Sequence, residues 1–197
     1  VHPGGVLKEV ILNMGGLHNV ENATAAIAIA LILGIDENKI KLAVADFKGV
    51  KRRFEYKVKT ENKVLIDDYA HHPEELNALI SGVRSIYPGE KMVLVFQPHL
   101  YSRTQDQCEG FVETLDKADE VILLPIYPAR EMPILGVTSD YLLELITNDT
   151  KKLISKEELV GCAEAFDSGV FVTIGAGDID RFVQPIKDVF MNKQVKR

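Results

Sequence analysis

The run Met92-Val93-Leu94-Val95-Phe96, followed at once by Gln97-Pro98-His99-Leu100-Tyr101-Ser102-Arg103-Thr104, carries the architectural reading of this chain. Five apolar residues without polar alternation fit a strand buried on both faces of a parallel sheet. The polar, ring-rich segment behind them fits a loop at the carboxyl end of such a strand, where open α/β sheets bind ligands. The pattern recurs. Val64-Leu65-Ile66 precedes Asp67-Asp68-Tyr69-Ala70-His71-His72-Pro73, and residues 120–125 precede Ile126-Tyr127-Pro128-Ala129-Arg130-Glu131. Residues 170–174 precede Gly175-Ala176-Gly177-Asp178. Helices are expected over 73–87, 104–118, 139–148, 156–166 and 178–191, with a short strand at 152–154. The fold class is therefore α/β: a doubly wound, mostly parallel sheet with helices on both faces, over about residues 50–197.

Phe54, Tyr56 and Val58 alternate with charged residues and begin a hairpin that turns at 60–63. Further upstream the pattern changes. Residues 6–12 read as a short strand, and 13–22 as a Gly- and Asn-rich loop in which Asn19 or Asn22 caps a helix over 23–33. A second helix is expected near 37–47, started by Asp36. The helix at 23–33 is apolar on every face, as for a helix buried between layers, yet nothing before it is long enough to cover it. Together with Val1 in place of Met, this leads us to expect that residues 1–49 are the tail of another domain.

Composition narrows the classes. The chain has 197 residues, 46% hydrophobic and 26% charged, which excludes a disordered chain. Its formal charge of −6 and lack of a basic stripe argue against nucleic acid as a partner. The longest apolar run, Ala25 to Gly34, is far short of the roughly 20 residues of a membrane span, so no membrane partner is expected. Cys108 and Cys162 are too few for a disulfide scaffold, which makes a reducing cytoplasm the expected compartment.

Four of the five histidines (His18, His71, His72, His99) fall in the loops, as do Arg52, Arg53, Arg103 and Arg130. Arginine offers a planar fork for carboxylate and phosphate, so the distribution points to an anionic, oxygen-rich ligand. One of Asp67 and Asp68 could accept ribose hydroxyls. A metal site on Asp67-Asp68-x-x-His71-His72 lacks a third supporting cluster. Gly175-Ala176-Gly177-Asp178 reads either as an anion-binding turn or as a turn that simply needs positive φ. The chain contains no Gly-x-x-x-x-Gly-Lys-Ser/Thr, Ser102 lacks a nucleophile-elbow context, and both cysteines read as packing residues.

Taken together, Gly16-Leu17-His18-Asn19-Val20-Glu21-Asn22, Gly49-Val50-Lys51-Arg52-Arg53-Phe54, Asp67-Asp68-Tyr69-Ala70-His71-His72-Pro73, Gln97 to Thr104 and Gly175 to Ile179 resemble the Mur ligases. The Tyr-x-His-His-Pro and Gln-Pro-His-x-Tyr-x-Arg-Thr pair resembles the alanine-adding branch and its relative, the murein peptide ligase. The resemblance implies a three-domain parent: residues 1–49 would close the central ATPase domain, and 50–197 would form the C-terminal, dinucleotide-fold-like domain. It implies ATP-dependent amide formation through an acyl phosphate in peptidoglycan precursor synthesis. The substrates would be ATP, UDP-N-acetylmuramate and L-alanine, with magnesium bound mainly by the rest of the parent. His18, Asn19 and Asn22 would face adenine, Asp68 the ribose, and Arg53 the phosphates. Tyr69, His71, His99 and Arg103 would surround the amino acid, with the catalytic part on His99 and Arg103. Leu100 stands where many members carry Arg. Two alternatives stay open: joining of a tripeptide, and a nucleotide- or anion-binding module without chemistry.

Overall fold

In a computed structural model, residues 5–192 are described, His18 without its side chain. Six strands form one sheet: β1 (Glu55–Lys59), β2 (Lys63–Asp68), β3 (Met92–Phe96), β4 (Glu120–Leu123), β5 (Lys151–Leu153) and β6 (Gly169–Ile174). Their spatial order is β1-β2-β6-β3-β4-β5, with only β1 antiparallel to its neighbour. The lack of alternation in the central strands has a direct cause, since each buries both of its faces. Ile66, Leu94, Phe96, Leu123 and Val172 pack on one side under α3 (Pro73–Ile86), α5 (Cys108–Leu115) and α6 (Ser139–Leu145). Leu65, Val93, Val95, Ile122 and Phe171 pack on the other under α7 (Leu159–Ala165) and α8 (Asp180–Asn192).

The chain steps outward from β3 to β5, then returns across the second face to lay β6 between β2 and β3. The segments leaving β2 and β3 therefore run to one face and the segment leaving β6 to the other. Neighbouring strands whose exits diverge leave a crevice beyond their carboxyl ends.

Several expectations need correction. Residues 6–12 form no strand: Glu9 has φ 58, which breaks an extended run, and among the described residues no strand lies alongside to take its backbone groups. The first helix, α1 (Leu17–Ile32), starts six residues early, with Gly16 rather than Asn19 or Asn22 at its cap. Close packing sets that start. A Cβ on Gly15 would lie 2.3 Å from the Phe54 ring, and one on Gly82 of α3 would lie 3.3 Å from the Gly16 Cα. The apolar α1 is not enclosed: Leu17, Val20, Ile29 and Ile32 are exposed, and α2 (Glu37–Asp46) covers only part of it. The expected helix over 104–118 instead begins at Tyr101 and breaks at Gln107, giving α4 (Tyr101–Asp106) and α5. Asp36 does cap α2, accepting from the backbone N–H of Asn38 and Lys39. Among the described residues no helix is long and apolar enough to cross a membrane.

Candidate functional site

Backbone pairing continues past the strand ends and draws four loops together. Gly175 N–H donates to the Asp68 carbonyl (3.2 Å) and Gln97 N–H to the Ile174 carbonyl (2.9 Å). Tyr127 N–H donates to the Pro98 carbonyl (2.8 Å) and Leu100 N–H to the Tyr127 carbonyl (2.9 Å). The Gly175–Asp178 turn is braced from inside by side chains. Buried Gln97 accepts the Ile179 N–H (3.0 Å) and donates to Asp178 (2.8 Å), which also receives Lys156 (2.7 Å). Glycine is required at Gly177, where a Cβ would sit 2.3 Å from Gln97 Oε1 and 2.7 Å from Tyr127 Cβ.

Adjacent residues of a strand point to opposite faces, so Asp67 and Asp68 have separate partners. Asp67 accepts from Thr173 (2.8 Å) and from Arg52 Nε (3.2 Å). Arg52 also donates to the Gly175 carbonyl and lies over the Tyr69 ring, 5.0 Å from its centroid. Burial pushes the Asp67 carboxyl above its ordinary range, and Thr173 and Arg52 offset that only in part. The buried Asp68 spends its oxygens on backbone, accepting from Phe54 N–H (2.6 Å) and Ala70 N–H (2.8 Å). It thus ties the loop before β1 to the loop after β2. Arg53 stands on the rim, about half exposed and 3.8 Å from Glu75.

The histidines acquire defined roles from their partners. His71 Nδ1 lies 2.9 Å from the Tyr69 carbonyl and 3.3 Å from Glu75, both acceptors only. Nδ1 must therefore carry the proton, which leaves Nε2 of the neutral ring with a lone pair. Glu75 also accepts the N–H groups of His71 and His72. Burial raises its pKa, but those donors and the nearby cations prevail and hold it below the ordinary value. His99 is the converse case. Arg103 Nη1 lies 3.0 Å from His99 Nδ1, and a guanidinium can only donate. Nδ1 is then the acceptor and Nε2 bears the hydrogen. Burial, Arg103 and His71 lower the His99 pKa, with Glu131 opposing them. The His99 ring stacks on Tyr127 and meets the His71 ring edge at 6.2 Å. Among the described residues no carboxylate lies within ion-pair distance of the half-buried Arg103.

The structure thus unites Tyr69, His71, His99 and Arg103, with Arg53 and Asp68 at the same end of the sheet. Asn19 and Asn22 belong to α1. Asn19 is buried and donates to the Gly15 carbonyl (2.6 Å), behind the Phe54 ring, while Asn22 is exposed. The side chain of His18 lies outside the described residues. The sequence assigns no role to Gln97, Tyr127 or Glu131, and Arg52, counted there among the arginines for an anionic ligand, is engaged by Asp67 and the Gly175 carbonyl. Their contacts span long sequence separations that no local pattern encodes. Among the described residues no group of three or more His, Cys, Asp or Glu side chains is placed to hold a metal ion.

Comparison with known proteins gives a consistent result. Residues 52–177 match the family described as Mur ligase, glutamate ligase domain. A UDP-N-acetylmuramate–L-alanine ligase of Cytophaga hutchinsonii is 53% identical over 176 residues, covering 89% of this chain and 38% of the relative. One from Porphyromonas gingivalis is 50% identical over 187 residues, covering 94% and 41%. The crystal structure of a UDP-N-acetylmuramate–alanine ligase from Thermotoga maritima superposes with a TM-score of 0.75 at 28% identity, covering 95% of this chain and 40% of that one. The chain thus spans about two fifths of the length of the curated relatives it matches.

Proposed function

The chain belongs to the Mur ligase family, and on that premise we propose that it supplies the amino-acid-facing surface, and part of the nucleotide-facing surface, of an ATP-dependent ligase joining L-alanine to UDP-N-acetylmuramate. The observation that carries the reading is Arg103: a half-buried guanidinium beside His99 and His71, with no carboxylate partner among the described residues. A planar fork in that setting suits the carboxylate of an incoming amino acid. Residues 1–49 would close the central ATPase domain, and 50–197 would form the C-terminal domain.

In the reaction the muramate carboxylate attacks the γ-phosphorus of ATP and ADP leaves. The alanine amine then adds to the acyl carbon, and the tetrahedral intermediate expels phosphate. The amine must shed a proton. In its neutral form His71, with Glu75 beside its Nδ1–H, would offer the lone pair on Nε2 to take it. His99 presents Nε2–H, a donor suited to the oxygen that gains charge in the intermediate. Arg103 fixes the alanine carboxylate, and Tyr69 lines the same pocket. On the nucleotide side Arg53 would meet the phosphates and His18, Asn19 and Asn22 the adenine; Asp68, expected at the ribose, is buried and accepts from the Phe54 and Ala70 N–H groups, so its part is to hold the loops rather than to touch the sugar. No step is assigned to magnesium in this chain.

The test is phosphate release by the intact protein with ATP and UDP-N-acetylmuramate, with L-alanine, a tripeptide or no amine added. Release that depends on alanine is expected. Dependence on the tripeptide alone would move the assignment to the murein peptide ligases, and release independent of any amine would refute a ligase. The 197 residues by themselves are expected to be inactive, since they contain no phosphate-loop lysine. Turnover by them at the rate of the intact protein would refute the division of the site.

A further inference from the structure

Ser102 and Glu131 are 29 residues apart in sequence and meet beside the Arg103–His99 pair. Helix α4 starts after Leu100, which has φ 71 and supplies no side-chain cap. Its first turn is held from outside, by the Glu131 carboxylate on the loop after β4. One oxygen accepts the Ser102 N–H (3.0 Å) and the other the Ser102 hydroxyl (2.5 Å). One carboxylate therefore fixes both the backbone and the side chain of the residue next to Arg103. It also lies close enough for its charge to act on Arg103 and His99. An anion in that place has an obvious alternative partner in Arg103. Ser102 binds one lone pair on each oxygen and so holds the carboxylate against the first turn of α4, where it forms no ion pair with Arg103 among the described residues.

We propose that Ser102 and Glu131 form a positioning pair, which sets the first turn of α4 and keeps the Arg103 guanidinium open for the carboxylate of the incoming amino acid. The proposal rests on the ligase reading above and deepens it. It makes the two members of the pair fail differently. Ser102→Ala frees one oxygen of a charged Glu131 to compete for Arg103. Glu131→Gln removes the charge, so it loosens α4 without creating a competitor.

The experiment is steady-state kinetics of the intact protein, varying L-alanine and ATP separately, for Ser102→Ala, Ser102→Thr, Glu131→Gln and the double variant Ser102→Ala/Glu131→Gln. Ser102→Ala is expected to raise the KM for L-alanine about tenfold with kcat and the ATP KM within about twofold, the pattern of lost ground-state binding. Ser102→Thr, which keeps the hydroxyl, should restore it. The double variant should have a lower alanine KM than Ser102→Ala alone, because no charge is left to compete; such non-additivity marks directly coupled residues. An unchanged alanine KM in Ser102→Ala would overturn the proposal. So would parallel losses in kcat and both KM values that Ser102→Thr does not rescue, because that is the signature of a purely structural bond. A wild-type protein with no alanine-dependent phosphate release would instead overturn the ligase reading itself, and the proposal with it.

Discussion

Replacing Arg52 with Met removes a mostly buried ion pair between the loop before β1 and Asp67 of β2, together with the bond from Arg52 to the loop after β6. Arg52 and Asp67 are 17% and 1% exposed at their side chains, so solvent screens the pair little. Methionine keeps most of the aliphatic length but removes the contact to Asp67, the bond to the Gly175 carbonyl and the stacking on Tyr69. Removing one partner of a buried pair costs about 3–5 kcal/mol, because the remaining charge is left without compensation. Asp67 still has the Thr173 hydroxyl and can take up a proton, which places the expected loss near the lower end, about 3 kcal/mol at pH 7. In a chain of this size that lowers the melting temperature by roughly 6–12 °C. The pH dependence has a definite sign. The Asp67 carboxyl already titrates above its ordinary value in the folded state, and Arg52→Met raises it further. A folded-state pKa above the unfolded one gives stability that is complete below the ordinary carboxylate range and is lost as pH rises through the folded value. The deficit should therefore shrink between pH 7 and pH 5. Adding Asp67→Asn, which removes the stranded charge, should recover about half of it or more. Thermal unfolding at both pH values measures all of this. A loss below about 1 kcal/mol, typical of exposed pairs, would refute the reasoning, as would a loss that neither pH nor Asp67→Asn relieves.

Three further outcomes are expected. Arg103→Ala in the intact protein should raise the alanine KM at least tenfold, from about 2 kcal/mol for a lost charged hydrogen bond, with the ATP KM moving far less. Arg103→Lys should raise it too, because the fork is lost although the charge stays; an effect on ATP alone would place the residue at the phosphates. His99 should be less than half charged at pH 6.5, where an ordinary histidine is about half charged, and Arg103→Ala should move its titration upward, as ring proton shifts followed through a pH series would report. A His99 titration unmoved by Arg103→Ala would contradict the contact at its Nδ1. Gly177→Ala should cost about 2 kcal/mol of stability by overpacking, since both Gln97 and the Tyr127 backbone would have to move. An unchanged unfolding midpoint would show that the turn yields freely.

Local pattern was enough for the central strands, because burial on both faces leaves a signature in consecutive residues, but it failed for residues 6–12, which form no strand. Met92 to Phe96 is a strand with the expected bounds, and Pro73 opens α3 as a proline at a first helical turn should. The same local logic placed His71 and His99 in loops at the carboxyl ends of strands, and Arg103, expected in the same loop, lies instead in α4; the structure brings the three together. Periodicity is silent about neighbours. Nothing in residues 169–174 says that this strand lies between β2 and β3, yet that placement makes the exits diverge and opens the crevice. Nor does the doublet Asp67-Asp68 show which acid meets Arg52 and which holds Phe54 and Ala70, since that depends on what packs against each face. The start of α1 follows the same rule: capping preference favoured the asparagines, but the close approach of Gly15 and Gly16 to Phe54 and Gly82 sets it at Leu17. Propensity and alternation act over a few residues, whereas strand order, hydrogen-bond partners and the tie between Ser102 and Glu131 come from contacts made across the fold.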